Sequence, residues 1–568
     1  MSLRLKQIVQ IALGISLVVT AFYTVHAQTE PFSVVDATIS STQAAISAKQ
    51  VTCSDIVQQY LQRINDYNLT THSAPPLNAI VNINPKAVEE AQRLDDYYTA
   101  NQAFKGPLHC VTVIIKDNID VTEFPSSSGS LALVDNLPKK DAFLVKQLKD
   151  AGAIILAHGT MDEFAAGAMG ISGRSGRTGN AYDPNKNAGG SSGGSAVAVS
   201  ANFALVGIGT DNSGSVRIPA AYNGIYGLRP STGQISQQGI FPRGNLDGVA
   251  GPMARTVEDM TKVFAVIAVP DPNDPKTQGV KRNQDYAQAL ENTDLTNIRI
   301  GILSSVAGVD QFRNMSRGNR LIYRQVLKTL KNAGATIVAN VQLPGFDVNR
   351  DDNMAGEIDD INAYLKQSPS HQQSYQDLCN SGLTSTLFDG RSGCLTHGIN
   401  TPGKNSKAYQ SVLKRFAKNR AYVQDVMKKN KLDALFVPID TRGAAQKDIN
   451  FGNLNLLVAS NAGLPGLAII GGFTKSHRPM PVGVELIGRP DDEETLFKIA
   501  YAYEQSQGPR PGPQLQKSKR AEGAIDIETL NDLYERIGRN SYLQVLKDGT
   551  PQDLTPKRFS TIVRETQQ

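Results

Sequence analysis

Residues Gly189 to Pro219 read GGSSGGSAVAVSANFALVGIGTDNSGSVRIP. Two serine clusters, one at Ser191 and Ser192 and one at Ser213 and Ser215, sit among glycines on either side of a small-residue apolar segment. Glycine lets backbone amides turn toward a ligand with no Cβ in the way, so such clusters suit a place where N–H groups face an anion or developing negative charge. The segment from Ala196 to Val206 is too apolar to be a solvated Gly/Ser linker. Neither cluster is followed by Lys-Ser or Lys-Thr, which excludes a phosphate loop, and Gly207-Ile208-Gly209 lacks the third glycine of a dinucleotide fingerprint. Gly189 to Gly193 does match G-x-S-x-G, which would make Ser191 the nucleophile of a Ser-His-Asp hydrolase. That reading needs a downstream histidine; His371, His397 and His477 are available, none in a convincing motif.

Upstream of this stretch, Cys110 to Asn118, CVTVIIKDN, reads as a buried strand that ends in Lys116. An apolar approach disfavours the ammonium and lowers a lysine toward the range of a general base. Asp117 and Asn118 are positioned to hold the amine by hydrogen bonds. Further out, Thr52 with Asp55 caps a helix running to Ile64, and a second helix is expected from Pro85 to Tyr98. Asp141 to Glu163 reads as helix, Ala-Gly turn and strand, an alternation that builds a sheet covered by helices. Gln28 to Ser47 reads as a leader, and Gly167 to Asn187 as a long irregular run of the kind that is more often functional than idle. A strand from Ile298 to Leu303 and a helix from Leu321 to Ala333 open the second half.

The whole chain has 568 residues, of which 40% are hydrophobic and 20% charged, enough for a large core. Its net charge of +5 includes Arg4 and Lys6, in a segment expected to be removed, and gives little support to nucleic acid or an anionic membrane as a partner. Those two cations precede an apolar run from Ile8 to Phe22 and then Val25-His26-Ala27, the layout of a secretory signal cleaved after Ala27. An uncleaved anchor would need a span of about 20 apolar residues. A secreted or periplasmic protein without stable membrane insertion is therefore expected. Four cysteines, Cys53, Cys110, Cys379 and Cys394, allow three pairings. The short spacing of Cys379 and Cys394 favours that pair and leaves Cys53 with Cys110, with four buried thiols as the alternative. No cysteine or histidine spacing points to zinc, and no cofactor is implied.

GGSSGG at Gly189, TDNSGSVRIPA at Thr210 and GPLHCVTVIIKDNID at Gly106 together resemble the amidase signature family, in which a Ser-Ser-Lys triad replaces Ser-His-Asp. The resemblance runs from about Val51 to Gln505 and includes GPMART at Gly251 and PVGVELIGRPDDEETL at Pro481. It implies an α/β fold with a central mixed sheet covered by helices on both faces. It also implies Ser215 as nucleophile, Ser191 as bridge and Lys116 as base, with backbone N–H groups of Asn212, Ser213, Gly214 and Ser215 as oxyanion hole. Thr210, Asp211 and Gly190 would support the loop, Gly190 through a cis bond to Ser191, and Arg217 would anchor structure. Two residues depart from the pattern: Ser213 stands where the family has glycine, which implies strain if the backbone needs positive φ, and Cys110 likewise replaces a glycine. The expected organisation is a signal over residues 1–27, a catalytic domain over 28–508 with a variable insertion at about 345–407, and an extension over 509–568 carrying a helix from Asp526 to Ile537. Tyr364, Phe388 and the Cys379 to Cys394 loop are candidates for the entrance. A small-molecule or peptide amide is the implied substrate and a homodimer is possible; a catalytically idle binding protein on the same scaffold is the competing class.

Overall fold

The computed structural model describes residues 31–69, 76–243, 246, 248–283, 285–349, 354–384, 401–441 and 456–516. The signal segment, Phe388, Cys394, His397 and the Asp526 to Ile537 helix lie outside them.

The first half opens with helices α1 (Ile39–Ser47) and α2 (Cys53–Tyr67), strand β1 (Ile80–Ile83), α3 (Ala87–Asn101), β2 (Thr112–Lys116), α4 (Phe143–Asp150) and β3 (Ile154–Gly159). The hairpin β4 (Ile171–Ser172) and β5 (Gly176–Arg177) follows, then α5 (Gly193–Ser200), β6 (Val206–Asp211), α6 (Arg217–Tyr222), β7 (Tyr226–Arg229), β8 (Val249–Ala254) and α7 (Val257–Ile267). The second half contributes β9 (Arg299–Val306), β10 (Val309–Asp310), α8 (Arg317–Asn332), β11 (Thr336–Leu343), α9 (Glu357–Leu365), α10 (Tyr375–Asn380) and α11 (Lys407–Lys429). It closes with β12 (Ala434–Pro438), α12 (Leu456–Ser460), β13 (Gly466–Phe473), β14 (Pro481–Gly488) and α13 (Glu493–Gln505).

Twelve strands form one mixed sheet in the order β1-β3-β2-β6-β8-β7-β13-β14-β12-β9-β10, with β11 on β9. β3, β2 and β6 run parallel side by side, and β6 to β12 pair antiparallel in succession. The α/β class and the mixed sheet expected from the sequence are both present. β2 and β6 are buried at every residue, which is why they read as continuous apolar runs, as strands of a covered parallel sheet do. Their register sets Ile115 opposite Ile208, so Lys116 and Thr210 emerge together at the carboxyl ends of neighbouring strands. That edge is where open α/β sheets hold their ligands.

One sequence expectation is corrected here. Gln28 to Ser47 is more than a leader: Thr38 and Ser41 form a reciprocal capping box, and α1 begins at Ile39. The polar insertion contains α9 and α10, whose Ile361, Leu365, Tyr375 and Leu378 pack on Ala132, Leu133 and Phe241 of the catalytic body. Cys53 and Cys110 form a disulfide across Cα atoms 5.6 Å apart, joining the first turn of α2 to the approach of β2. Cys110 has φ +63, a left-handed backbone in which glycine is the unstrained residue.

Candidate active site

Lys116 is completely buried, and its Nζ lies 2.7 Å from Ser191 Oγ, 2.8 Å from Thr210 Oγ1 and 3.3 Å from the Thr210 carbonyl. Burial pushes its pKa down to about 7, against the opposing pull of Asp162 and Asp211. A neutral amine has two N–H donors and one lone pair. The two Thr210 oxygens take the donors, and the lone pair is left for the Ser191 hydroxyl proton. Asn118 holds Thr210 Oγ1 from the other side at 3.2 Å. Asp117 and Asn118 thus do not grip the amine, as their position in sequence implied. Successive residues leaving a strand point to opposite sides, and Asp117 instead accepts from Ser127 N at 3.0 Å and Gly129 N at 2.9 Å and faces His158 Nδ1 at 3.3 Å.

Ser191 follows the one non-proline cis bond among the described residues, Gly190–Ser191. The Ser191 carbonyl accepts from Asp162 N at 3.1 Å, and Ser192 N donates to the Ser215 carbonyl at 3.1 Å. The two serine loops are therefore stitched together through main chain. A Cβ on Gly190 would lie 1.8 Å from Asp162 Oδ2, so glycine there makes room for a carboxylate. Asp162 accepts from Gly170 N, Met169 N and Ile171 N at 2.9, 3.1 and 3.3 Å. Burial raises it to about 6 in spite of those donors. The sequence reading passed over Asp162; its signal was a carboxylate three residues beyond the end of a strand that pairs with the strand of Lys116.

Ser215 retains 7% exposure while Ser191 and Lys116 have none. Asp211 brackets Ser215, accepting from Gly214 N at 2.8 Å and Val216 N at 3.1 Å. The Gly214 N–H, one of the expected oxyanion donors, is engaged by this carboxylate. The positive φ of the loop falls on Gly214, at +112, and Ser213 has none; the strain expected at Ser213 is absent. Arg217 is an anchor: Nε and Nη2 each lie 3.0 Å from the two Asp211 oxygens, and Nη1 pairs with Glu485. Burial alone would raise the Asp211 carboxyl, yet Arg217 and Arg229 hold it well below the usual carboxylate range. The Asn212 side chain donates to the Arg243 carbonyl, and Arg243 Nη1 lies 3.4 Å from Glu357 at the start of α9.

Tyr364 comes to the strand-end loop beyond Lys116, its hydroxyl donating to Asp120 Oδ1 at 2.6 Å and its ring edge-on to Phe241. No histidine is hydrogen-bonded to Ser191 or Ser215 among the described residues. His371 faces Asp135 with a side chain 75% exposed, and His477 is exposed.

Fold and site together define a hydrolase of amide C–N bonds. The chain belongs to the amidase family, whose description, Amidase, matches residues 55–497. The native peptide amidase of Stenotrophomonas maltophilia superposes with a TM-score of 0.75 at 31% identity, over 86% of this chain and all of that one. A glutamyl-tRNA(Gln) amidotransferase subunit of Lawsonia intracellularis is 31% identical over 82% of this chain and 96% of its own length. A probable amidase of Arabidopsis thaliana is 28% identical over 84% of this chain and 91% of its own.

Proposed function

We propose an exported amidase that forms an acyl-enzyme on Ser215, with peptide C-terminal amides as the first substrate class. The observation that carries the mechanism is the Lys116 amine, buried among neutral oxygens and 2.7 Å from Ser191 Oγ. Neutral Lys116 takes the Ser191 proton while Ser191 takes that of Ser215, which attacks the carbonyl carbon. The Ser215 oxygen bonds to that carbon, whose carbonyl oxygen becomes the oxyanion. The proton returns through Ser191 to the leaving nitrogen as the C–N bond breaks, and water then hydrolyses the ester. Backbone N–H groups of the Asn212 to Ser215 loop, without Gly214, would face the oxyanion, a contribution of a few kcal/mol per donor.

Likeness to a peptide amidase along its whole length supports the substrate class. The amidotransferase relative is as similar in sequence; the signal-like first 27 residues favour an exported enzyme over one that meets charged tRNA. A fluorophosphonate probe tests the nucleophile: Ser215→Ala should abolish labelling. Labelling retained there and lost in Ser191→Ala would instead favour the hydrolase-elbow reading. A panel of peptide, small aliphatic, aryl and fatty acyl amides run on secreted material should show highest kcat/KM for peptide amides. Failure of the wild type to take the probe or cleave any amide would leave a binding protein.

A further inference from the structure

Helix α8 carries five cations, Arg317, Arg320, Arg324, Lys328 and Lys331, and no acidic residue. Their spacing of three and four residues sets all five on one exposed face, over about 21 Å at 1.5 Å per residue. The opposite face is already used: Tyr323, Val326 and Leu330 are buried, and the Tyr323 hydroxyl donates to the Gly483 carbonyl of β14 at 2.9 Å.

Several surface helices pair a cation one turn away, although α11 also leaves Lys407, Lys414, Lys418 and Lys428 outside any ion pair among the described residues. Arg93 faces Glu89 on α3, Lys146 faces Asp150 on α4, Lys262 faces Glu258 on α7 and Lys429 faces Asp425 on α11. None of the five cations of α8 enters an ion pair among the described residues. Leu321 stands in the middle of them with 55% exposure, the most of any exposed large hydrophobic among the described residues.

We propose that the outer face of α8 docks on an anionic phospholipid bilayer, the five cations meeting headgroup phosphates and Leu321 entering the boundary with the acyl chains. Charge complementarity calls for a polyanion, and a protruding leucine among the cations distinguishes a bilayer from nucleic acid, whose phosphates offer it nothing apolar. This face holds none of the residues assigned to amide hydrolysis, so the proposal stands or falls apart from that chemistry.

The test is co-sedimentation of the full chain with vesicles of phosphatidylcholine alone or mixed with phosphatidylglycerol. The expected result is binding to the mixed vesicles only, weakened by salt. The triple variant Arg320→Glu, Arg324→Glu, Lys328→Glu should lower the partition coefficient at least about tenfold, and Leu321→Ser should lower it less. Unchanged amide hydrolysis and melting temperature would establish that both variants are folded. Equal binding to phosphatidylcholine alone, no binding to either vesicle, undiminished binding by the folded triple variant, or capture of duplex nucleic acid in preference to vesicles would each overturn the proposal. If the triple variant does not fold, Lys328→Ala and Lys331→Ala in the wild type must each weaken binding, and unchanged binding in both would overturn it equally.

Discussion

Lys116 and Arg217 are two completely buried cations at the carboxyl edge of the same sheet, one at the end of β2 and one just past β6. Their surroundings differ in one respect. Arg217 meets the carboxylates of Asp211 and Glu485, and although burial works against it, those charges hold its pKa above the ordinary value. Lys116 meets hydroxyls and a carbonyl, and burial carries it down to about 7. Equal burial thus yields a permanent charge that fixes a loop and a titratable amine that can exchange a proton. The partner decides which.

The difference is most sharply broken by Lys116→Met. Amide turnover should fall by about 10²–10⁴-fold, the usual share of a general base, without loss of stability. Because the folded pKa lies below the ordinary 10.5, the unfolded chain holds the proton between pH 7 and 10.5 and the folded chain does not. Stability supplied by this site rises with pH through that window. The thermal advantage of the methionine variant over its parent should accordingly grow as pH falls from 10.5 to 7. A variant that loses stability at every pH would place Lys116 with Arg217 among the anchors.

Arg217→Met should do the opposite, stranding the buried Glu485 and leaving Asp211 with Arg229 alone, a loss of about 3–5 kcal/mol read from the urea midpoint at constant slope. Third in size is the pH dependence of the wild type: kcat/KM should fall about tenfold per unit below pH 7 as Lys116 takes up its proton. A flat profile down to pH 5 would show that the amine is not the base. Smallest is Thr210→Val, which removes the hydroxyl shared by Lys116 and Asn118. It should cost about 1 kcal/mol of stability and displace the acid limb to lower pH, since the ammonium loses an acceptor.

Lys116 was legible in the sequence because a β-branched run leads into it, and Ser191 and Ser215 because glycines flank them. The strands β2, β3 and β9 and the capped helix α2 were legible for the same kind of reason: period and punctuation are local. The amine's true support was not. Whether Asn118 reaches Lys116 or Thr210 depends on which strand lies beside β2, and the partner strand comes some ninety residues later. Asp162 was hidden in a run whose order comes from one carboxylate collecting three backbone N–H groups, a pattern without period. The insertion concealed two helices because their apolar faces are short and become a core only against Leu133 and Phe241.

The space at Gly190 also bears on how such a chain can change over time. Asp162 Oδ2 occupies the volume in which any side chain at position 190 would begin. Even alanine there requires the carboxylate to leave, and with it the turn it organises at Met169 to Ile171. The constraint runs one way: position 162 can change while 190 stays glycine, but position 190 can gain a side chain only after the carboxylate at 162 has gone.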